Sequence, residues 1–273
     1  MTITLDGPLL LVGAGKMGGA LLTGWLDRGL DPARVFIQDP NLPEQVATLV
    51  DAHNVARGMP PELPAPPSVM VLAVKPQAVA ETLPDLKHLV EGDTVVLSIA
   101  AGQTLATLAR HLGEGCSIVR SMPNTPAAIG RGITVACSNA HVTADQAQRC
   151  ITLLSAVGEV AWIEDEGLLD AVTAVSGSGP AYVFLLTECL AAAGVEAGLS
   201  EDLAAQLARA TVSGAGELMY QSEDSAEQLR HDVTSPGGTT EAALKILAGK
   251  GGLEALMARA VEAATKRSRE LSS

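Results

Sequence analysis

Apolar runs and amphipathic stretches alternate along the first 163 residues of the chain. The apolar runs predict strands at residues 8–12, 35–38, 69–74, 94–99, 117–119, 132–137 and 159–163. The amphipathic stretches predict helices at residues 17–28, 44–52, 79–89, 104–112 and 144–157. Apolar strands that alternate with helices are typical of a parallel sheet covered by helices on both faces. The proline-rich stretch 58–67 has the composition of a loop within this region.

The strand pattern ends near residue 163. Residues 164–273 are rich in Ala and Leu and predict only helices, with Gly and Pro breaks near 176–180, 198 and 235–238. We therefore expect a Rossmann-like, doubly wound α/β domain over residues 1–163 and an all-α domain over residues 164–273. The stretch 181–199 contains only two charged residues, Glu188 and Glu196. A helix that is apolar around most of its circumference must be covered on most sides, which predicts a dimer interface.

A glycine-rich motif follows the first predicted strand and opens the first predicted helix. It reads Gly13-Ala14-Gly15-Lys16-Met17-Gly18, which is the pattern G-x-G-x-x-G. In such a turn the first glycine permits the sharp bend, the second lets the backbone approach a diphosphate, and the third lets the helix pack on the sheet. The strand–turn–helix context therefore predicts dinucleotide binding.

Asp39 ends the second predicted strand and has two interpretations. An acidic residue at this place commonly accepts hydrogen bonds from the adenosine ribose hydroxyls and disfavours a 2′-phosphate. Alternatively, Asp39 caps the turn that continues through Pro40 and Asn41. The sequence does not separate these two roles.

Further loops follow later strands or interrupt the helical region. Lys75, in the segment AVKP at 73–76, faces a ligand or solvent, and the segment MPNTP at 122–126 forms a cofactor wall or an ordinary turn. The segments SGSGP at 176–180 and SPGGTT at 235–240 each precede a predicted helix. Thr239 is a plausible N-cap of the helix predicted at 241–247, and free N–H groups there would hold a carboxylate. Either segment alone could also be an ordinary helix–helix turn.

Composition narrows the classes of partner. The formal net charge of −13 and an aromatic content of 2% disfavour nucleic acid and anionic membranes as partners. The N-terminal residues have no basic region before a short apolar run, so we expect a first strand rather than a signal peptide, and a cytoplasmic protein. Cys116, Cys137, Cys150 and Cys189 lack disulfide or metal-ligand spacing, and we expect reduced thiols and no metal.

These motifs together resemble the pyrroline-5-carboxylate reductase family. The segments GAGKMG at 13–18, AVKP at 73–76, MPNTP at 122–126, SGSGPAY at 176–182 and SPGGTT at 235–240 occur in the family's order over essentially the whole chain. The resemblance implies a Rossmann domain, a helical domain that dimerises, and homodimers or larger assemblies of dimers. It also implies hydride transfer from NADH or NADPH to the C=N bond of a small-molecule imino acid, 1-pyrroline-5-carboxylate, giving L-proline without a metal.

The resemblance extends to site residues. With the glycine-rich turn and Asp39, it gives as expected cofactor-binding residues Gly13, Ala14, Gly15, Lys16, Met17, Gly18, Asp39, Ala73, Val74, Lys75, Pro76, Ala100, Ala101 and Gly102. The expected substrate-binding residues are Glu166, Asp232, Gly238, Thr239 and Thr240. Thr240 is also the candidate catalytic residue, as a hydroxyl donor to the imine nitrogen.

Two positions depart from the family pattern, and two other functions compete. Asp232 is acidic where a neutral residue is expected, so it should contact the substrate through its backbone or point away. Pro61 lies where relatives can place an Asn against a 2′-phosphate, and Pro61 and Asp39 together argue against a preference for NADP. A 3-hydroxyacid dehydrogenase would need a lysine early in the helical domain, but Lys245 is the first lysine after residue 163. A non-catalytic dinucleotide sensor would not need the second-ligand segments SGSGPAY and SPGGTT.

Overall fold

A computed structural model describes residues 2–58 and 62–272 and contains one eight-stranded sheet. The strands are β1 (Leu9–Val12), β2 (Val35–Gln38), β3 (Ala56–Arg57), β4 (Val69–Leu72), β5 (Val95–Ser98), β6 (Ser117–Met122), β7 (Gly132–Ser138) and β8 (Gly158–Trp162). The helices among them are α1 (Lys16–Asp27), α2 (Glu44–His53), α3 (Val79–Leu86), α4 (Leu105–Leu112) and α5 (Ala144–Leu154). The sequence pattern found every strand except the two-residue β3.

The strand order identifies the architecture. The order is β3-β2-β1-β4-β5-β6-β7-β8, whose first six strands have the doubly wound order of a dinucleotide-binding sheet. Because β1 pairs in parallel with both β2 and β4, the chain direction around the sheet reverses beside β1. Ligands bind at the carboxyl ends of the strands at such a switch point.

One strand pair departs from the parallel sheet predicted from the sequence. β6 and β7 are antiparallel, with Arg120 opposite Cys137. A parallel connection needs a dozen or more residues, usually forming a helix. The connection here contains residues 123–131, most of which form the 3₁₀ turn Thr125–Ile129, and the chain therefore reverses.

Apolar side chains cover both faces of the sheet. On one face, the fully buried Trp25 of α1 donates its indole N–H to the Leu153 carbonyl of α5 at 2.9 Å, so its polar atom is satisfied. The opposite face buries residues of α3 and α4 such as Leu83 and Leu108. This two-sided burial explains why the central strands are apolar throughout.

The chain divides into two compact units. Unit 1 comprises Met1–Gly177 and Thr265–Ser273, and unit 2 comprises Ser178–Ala264. This division differs from the boundary predicted at residues 163 and 164. The segment after β8 is helical, with α6 at Leu169–Val172, but Leu169 packs in a cluster with Val135 and Cys137 of β7. Helical periodicity alone could not show that this segment packs on the sheet.

Unit 2 consists of helices, the last of which continues into the C-terminal residues of unit 1. They are α7 (Gly179–Glu196), α8 (Glu201–Gln221), α9 (Ala226–Asp232), α10 (Thr239–Leu247) and α11 (Leu253–Ser272). Large apolar side chains are exposed on α7, and Phe184 is 62% accessible. The stretch Glu166–Glu196 is long and apolar enough to cross a membrane by composition alone, and its most apolar window has no buried residue within the single chain.

Candidate active site

The glycine-rich turn lies between β1 and α1 at the carboxyl edge of the sheet. Gly13 has φ +86°, and a side-chain carbon there would lie 2.9 Å from the Ala73 carbonyl. A side-chain carbon at Gly18 would lie 2.4 Å from the Gly13 carbonyl oxygen. Gly15, by contrast, has no neighbour within 4 Å of such a carbon among the described residues. The first and last glycines are therefore required by packing, and the middle glycine leaves space in front of the turn.

The amino end of α1 is suited to an anion. Gly15 is its N-cap, no side chain caps it in the part of the chain that the structure describes, and its first turn has no acidic residue. The first N–H groups of a helix lack intrahelical acceptors and carry the positive end of the helix dipole. A diphosphate would satisfy both, and Gly15 leaves room for it.

Asp39 lies against this turn. Its Oδ2 accepts a hydrogen bond from the Ala14 backbone N–H at 2.7 Å, and its Oδ1 accepts one from the Asn41 N–H at 2.8 Å. Asp39 thus caps its own turn, as one interpretation predicted. The same contacts hold its carboxylate against the glycine-rich turn, and its role in ribose binding stays a prediction.

The loops after β4 and β5 form the next part of the same edge. Ala73 donates its N–H to the Val12 carbonyl at 2.8 Å and packs against Gly13. Lys75 is exposed at the start of the 3₁₀ turn Pro76–Ala78. After β5, Ala100 is buried, whereas Ala101 is exposed. The expected cofactor-binding segment 73–76 therefore adjoins the glycine-rich turn, and segment 100–102 follows β5, the next strand along the same edge.

The segment MPNTP leaves β6 at this edge. Asn124 accepts a hydrogen bond from the Ile133 N–H through its Oδ1 at 3.0 Å, which fixes the reversal into β7. Thr125 and the nearby Ala128 border a cavity of about 740 Å³, whose other lining residues come from α1 and α2 with their N-caps. Lys16 and Met17 of the glycine-rich motif line the same cavity. Thr125 of the MPNTP segment therefore lines the same cavity as the motif, and the role of the segment as a wall of the cofactor site stays a prediction.

Glu166 is also held in unit 1. Its Oε1 accepts hydrogen bonds from the Leu105 N–H at 2.8 Å and from Arg120 Nη1 at 2.7 Å. Together with burial, which is the larger cause, Glu166 raises the pKa of Cys137 to about 11. The sequence offered one signal for Arg120, a charge inside the otherwise uncharged strand SIVRSM.

The remaining expected substrate residues belong to unit 2. The helix predicted at 241–247 starts earlier: Gly238 is the N-cap of α10, and Thr239 and Thr240 are its first two residues. The N-cap expected at Thr239 is thus wrong, because the glycine supplies the extended backbone conformation before the helix. No side chain within the described residues caps α10, so its first N–H groups face outward like those of α1.

Glu241 stabilises the loop that leads into α10. Its Oε2 accepts a hydrogen bond from the Gly237 N–H at 2.5 Å, and its Oε1 lies 3.1 Å from Lys245 Nζ. These two contacts, the Gly237 N–H first, lower the pKa of Glu241 below its ordinary value. Sequence reasoning missed Glu241, because the residue three positions before it is Gly238 and not the Ser, Thr, Asp or Asn of a capping box.

Asp232 is the last residue of α9 and is exposed. Its Oδ1 accepts a hydrogen bond from Gln228 Nε2 at 2.7 Å, one turn earlier. One oxygen of the carboxylate is therefore paired within its own helix, and a substrate contact at this position, through the backbone, stays a prediction.

Within residues 2–58 and 62–272, no group of three or more His, Cys, Asp or Glu side chains is arranged to hold a metal ion. Cys116, Cys137, Cys150 and Cys189 are free, and Pro61 lies outside the described residues.

This sheet order, with a glycine-rich turn and an uncapped helix at its switch point, defines a Rossmann-type dinucleotide-binding protein. A family model described as pyrroline-5-carboxylate reductase dimerisation matches residues 166–271. A second, described as NADP oxidoreductase coenzyme F420-dependent, matches residues 9–102. The first match gives the exposed apolar surface of unit 2 an explanation, because it indicates homo-oligomerisation through that region.

Individual relatives match this chain over nearly its full length. The chain is 42% identical to a pyrroline-5-carboxylate reductase of Pseudomonas aeruginosa, with 96% of both chains covered. A solved pyrroline-5-carboxylate reductase from Coxiella burnetii has a TM-score of 0.91 at 35% identity and covers 98% of this chain and 100% of that one. A Plasmodium falciparum pyrroline carboxylate reductase, solved with NADP bound, has a TM-score of 0.80 at 29% identity and covers 98% and 99%. The chain belongs to the pyrroline-5-carboxylate reductase family.

Proposed function

We propose that this protein transfers a hydride from NAD(P)H to the imine carbon of 1-pyrroline-5-carboxylate and releases L-proline. The observation that carries the proposal is the presence of two uncapped helix amino ends, at α1 and α10, in a chain 42% identical to a named reductase over 96% of its length. One suits a diphosphate and the other suits a carboxylate.

The residues of unit 1 fit the cofactor. The open space before Gly15 and the N–H groups of α1 would hold the diphosphate, and Asp39 would accept hydrogen bonds from the ribose hydroxyls. Segments 73–76 and 100–102 would line the rest of the cofactor. When bound, the reduced nicotinamide supplies the hydride, and the protein orients it and excludes competing reactions.

The residues of unit 2 fit the imino acid. The first N–H groups of α10 would hold the substrate carboxylate, and the Gly237–Glu241 contact keeps the preceding loop in place. The Thr240 hydroxyl would donate a hydrogen bond to the imine nitrogen, which gains a proton as its carbon gains the hydride. Gly238 and the backbone of residue 232 would complete the contacts to the small substrate.

The assembly and location follow the same proposal. The exposed apolar face of α7 would be covered by a second copy of the chain, and such dimers would associate further. The enzyme would work in the cytoplasm, where NAD(P)H is available.

The test is a steady-state assay with purified protein. NADH or NADPH should be oxidised only when racemic pyrroline-5-carboxylate is added, with L-proline formed in equal amount. Oxidation with a 3-oxo acid and none with the cyclic imine would replace the proposal with the 3-hydroxyacid dehydrogenase alternative.

A further inference from the structure

Arg120 is a buried cation at the cofactor edge of the sheet. Only 9% of its side chain is accessible, and its Nη1 donates to Glu166 Oε1 at 2.7 Å. The Glu166 side chain is 29% accessible. A buried guanidinium is costly unless it is paired, so Glu166 compensates a charge that the fold has placed there.

The pair connects three separate parts of unit 1. Arg120 lies on β6, and Glu166 begins the segment that follows β8. Glu166 also accepts a hydrogen bond from the N–H of Leu105, the first residue of α4. Glu166 Oε1 receives both hydrogen bonds. Its Oε2 receives none from residues 2–58 and 62–272, so one carboxylate oxygen is used by the scaffold and the other is available.

Two separate contacts, one made by Ser121 and one made by Glu166, fix the two ends of the loop 99–104, which contains the expected cofactor-lining residues 100–102. At its entry, the Ser121 hydroxyl donates to the Ser98 carbonyl at 3.0 Å, and Ser98 lies opposite Arg120 in the sheet. At its exit, Glu166 holds Leu105. Two adjacent residues of β6 therefore fix the loop: Ser121 fixes its entry directly, and Arg120 fixes its exit through Glu166.

We propose that Arg120 is a positioning residue for the reductase. It acts through Glu166: by fixing Oε1, it sets the exit of the cofactor loop and the direction of Oε2. Cofactor binding and the rate of hydride transfer would then depend on a side chain that acts on the cofactor loop only through Glu166. This inference rests on the proposed function for its kinetic readout, but its cofactor-binding readout does not.

A purely structural role for Arg120 makes a different prediction. If the pair only neutralises buried charge, Arg120→Lys should keep the stability, cofactor affinity and activity of wild type. If the pair positions Glu166, lysine should keep the charge and the fold but lose activity. Lysine is shorter and lacks the planar guanidinium, so the carboxylate must move, and a displacement of about 1 Å can cost up to about 10²-fold in rate.

The experiment compares Arg120→Lys, Arg120→Met and Glu166→Gln with wild type. For Arg120→Lys we expect kcat to fall about tenfold and NADPH to bind about three- to tenfold more weakly by calorimetry, with a melting temperature close to wild type. Arg120→Met should lose about 100-fold in kcat. The double variant Arg120→Met/Glu166→Gln should be no worse than the worse single variant, because both act through one contact.

Arg149→Met is the matched control. Arg149 is a part-buried arginine of the same unit that pairs with Asp93, and it donates to the Ser68 carbonyl at 3.4 Å. Ser68 and Asp93 precede β4 and β5, at the amino edge of the sheet away from the cofactor edge. Its loss should lower the melting temperature and leave kcat, KM and the NADPH dissociation constant within about twofold of wild type.

Three outcomes would overturn the positioning role. These are wild-type kinetics and NADPH affinity in Arg120→Lys, independent multiplying effects of Arg120→Met and Glu166→Gln, or an equal loss of activity in Arg149→Met. Since Arg120→Lys retains the charge, this variant decides the question even if Arg120→Met does not fold. A wild-type protein that binds NADPH but reduces no cyclic imine would instead contradict the proposed function, and the calorimetric comparison would still test Arg120.

Discussion

Replacing Asp39 with serine should move the cofactor preference toward NADPH. The Asp39 carboxylate is held beside the glycine-rich turn by its 2.7 Å bond from the Ala14 N–H, so it cannot easily swing away from a ribose bound there. NADPH would place a 2′-phosphate close to this negative charge. NADH would instead offer two hydroxyls that the carboxylate can accept.

The size of the effect follows from the charges. Two like unit charges about 4 Å apart repel by about 4 kcal/mol at an effective dielectric constant of 20. Because Asp39 is only partly buried, solvent reduces this repulsion, and we expect the ratio of the two kcat/KM values to change by about 1–2 kcal/mol, or about five- to thirtyfold. Arg57 offers little compensation, since it pairs with Asp51 at 3.2 Å on the surface.

The assay is kcat/KM for NADH and NADPH in wild type and Asp39→Ser. Serine keeps one oxygen that can accept from the Asn41 or Ala14 N–H, so the turn is perturbed as little as the removal of charge allows. Asp31→Ser is the matched control, because Asp31 Oδ1 accepts from the Ala33 N–H at 3.0 Å in the same kind of turn, before β2 rather than after it. It should leave the cofactor ratio unchanged.

Wild type should use NADH at least as well as NADPH. A wild-type preference of tenfold or more for NADPH would show that Asp39 does not face the ribose. An equal shift in Asp31→Ser would show that the effect comes from net charge and not from the position of the carboxylate.

Three further predictions concern unit 2. Thr240→Ala should lower kcat about 10–10³-fold if the hydroxyl assists protonation, whereas a rise in KM alone would make Thr240 a binding residue. Glu241→Gln should lower the melting temperature at pH 7. Because the fold lowers the pKa of Glu241, the difference in melting temperature between wild type and variant should be fully present above pH 4.5, near the ordinary pKa, and should disappear as the pH falls through the lowered pKa. A pH-independent difference would mean that charge is not involved. Sedimentation at micromolar concentration should find dimers or larger species, and a folded, active monomer would contradict burial of α7 in a subunit interface.

Periodicity predicted most of the sheet because its physical cause is local. β1, β2, β4 and β5 are buried on both faces, so their apolar runs are continuous and easily seen. The reversal between β6 and β7 depends on the length of the connection. The two prolines in the MPNTP segment predicted a turn there, but they did not predict that β6 and β7 would pair antiparallel. The two residues of β3 are too few to show any period.

The site was predictable where one residue type is required by geometry. Gly13 and Gly18 have no room for a side chain, and for this reason glycine occurs at these two positions of the G-x-G-x-x-G motif. Arg120 and Glu241 act through hydrogen bonds to partners that only the fold or the exact loop conformation brings near. The family resemblance predicted Glu166 as a site residue, but it did not predict that Arg120 would pair with Glu166.

Titration of NADPH oxidation against pyrroline-5-carboxylate, with the product resolved by chirality, tests the proposed function most directly. The wild-type protein should consume one NADPH for each L-proline formed and none without the imine. Cofactor binding without any proline, at imine concentrations up to the millimolar range where such enzymes saturate, would contradict the assignment of this protein as a working reductase.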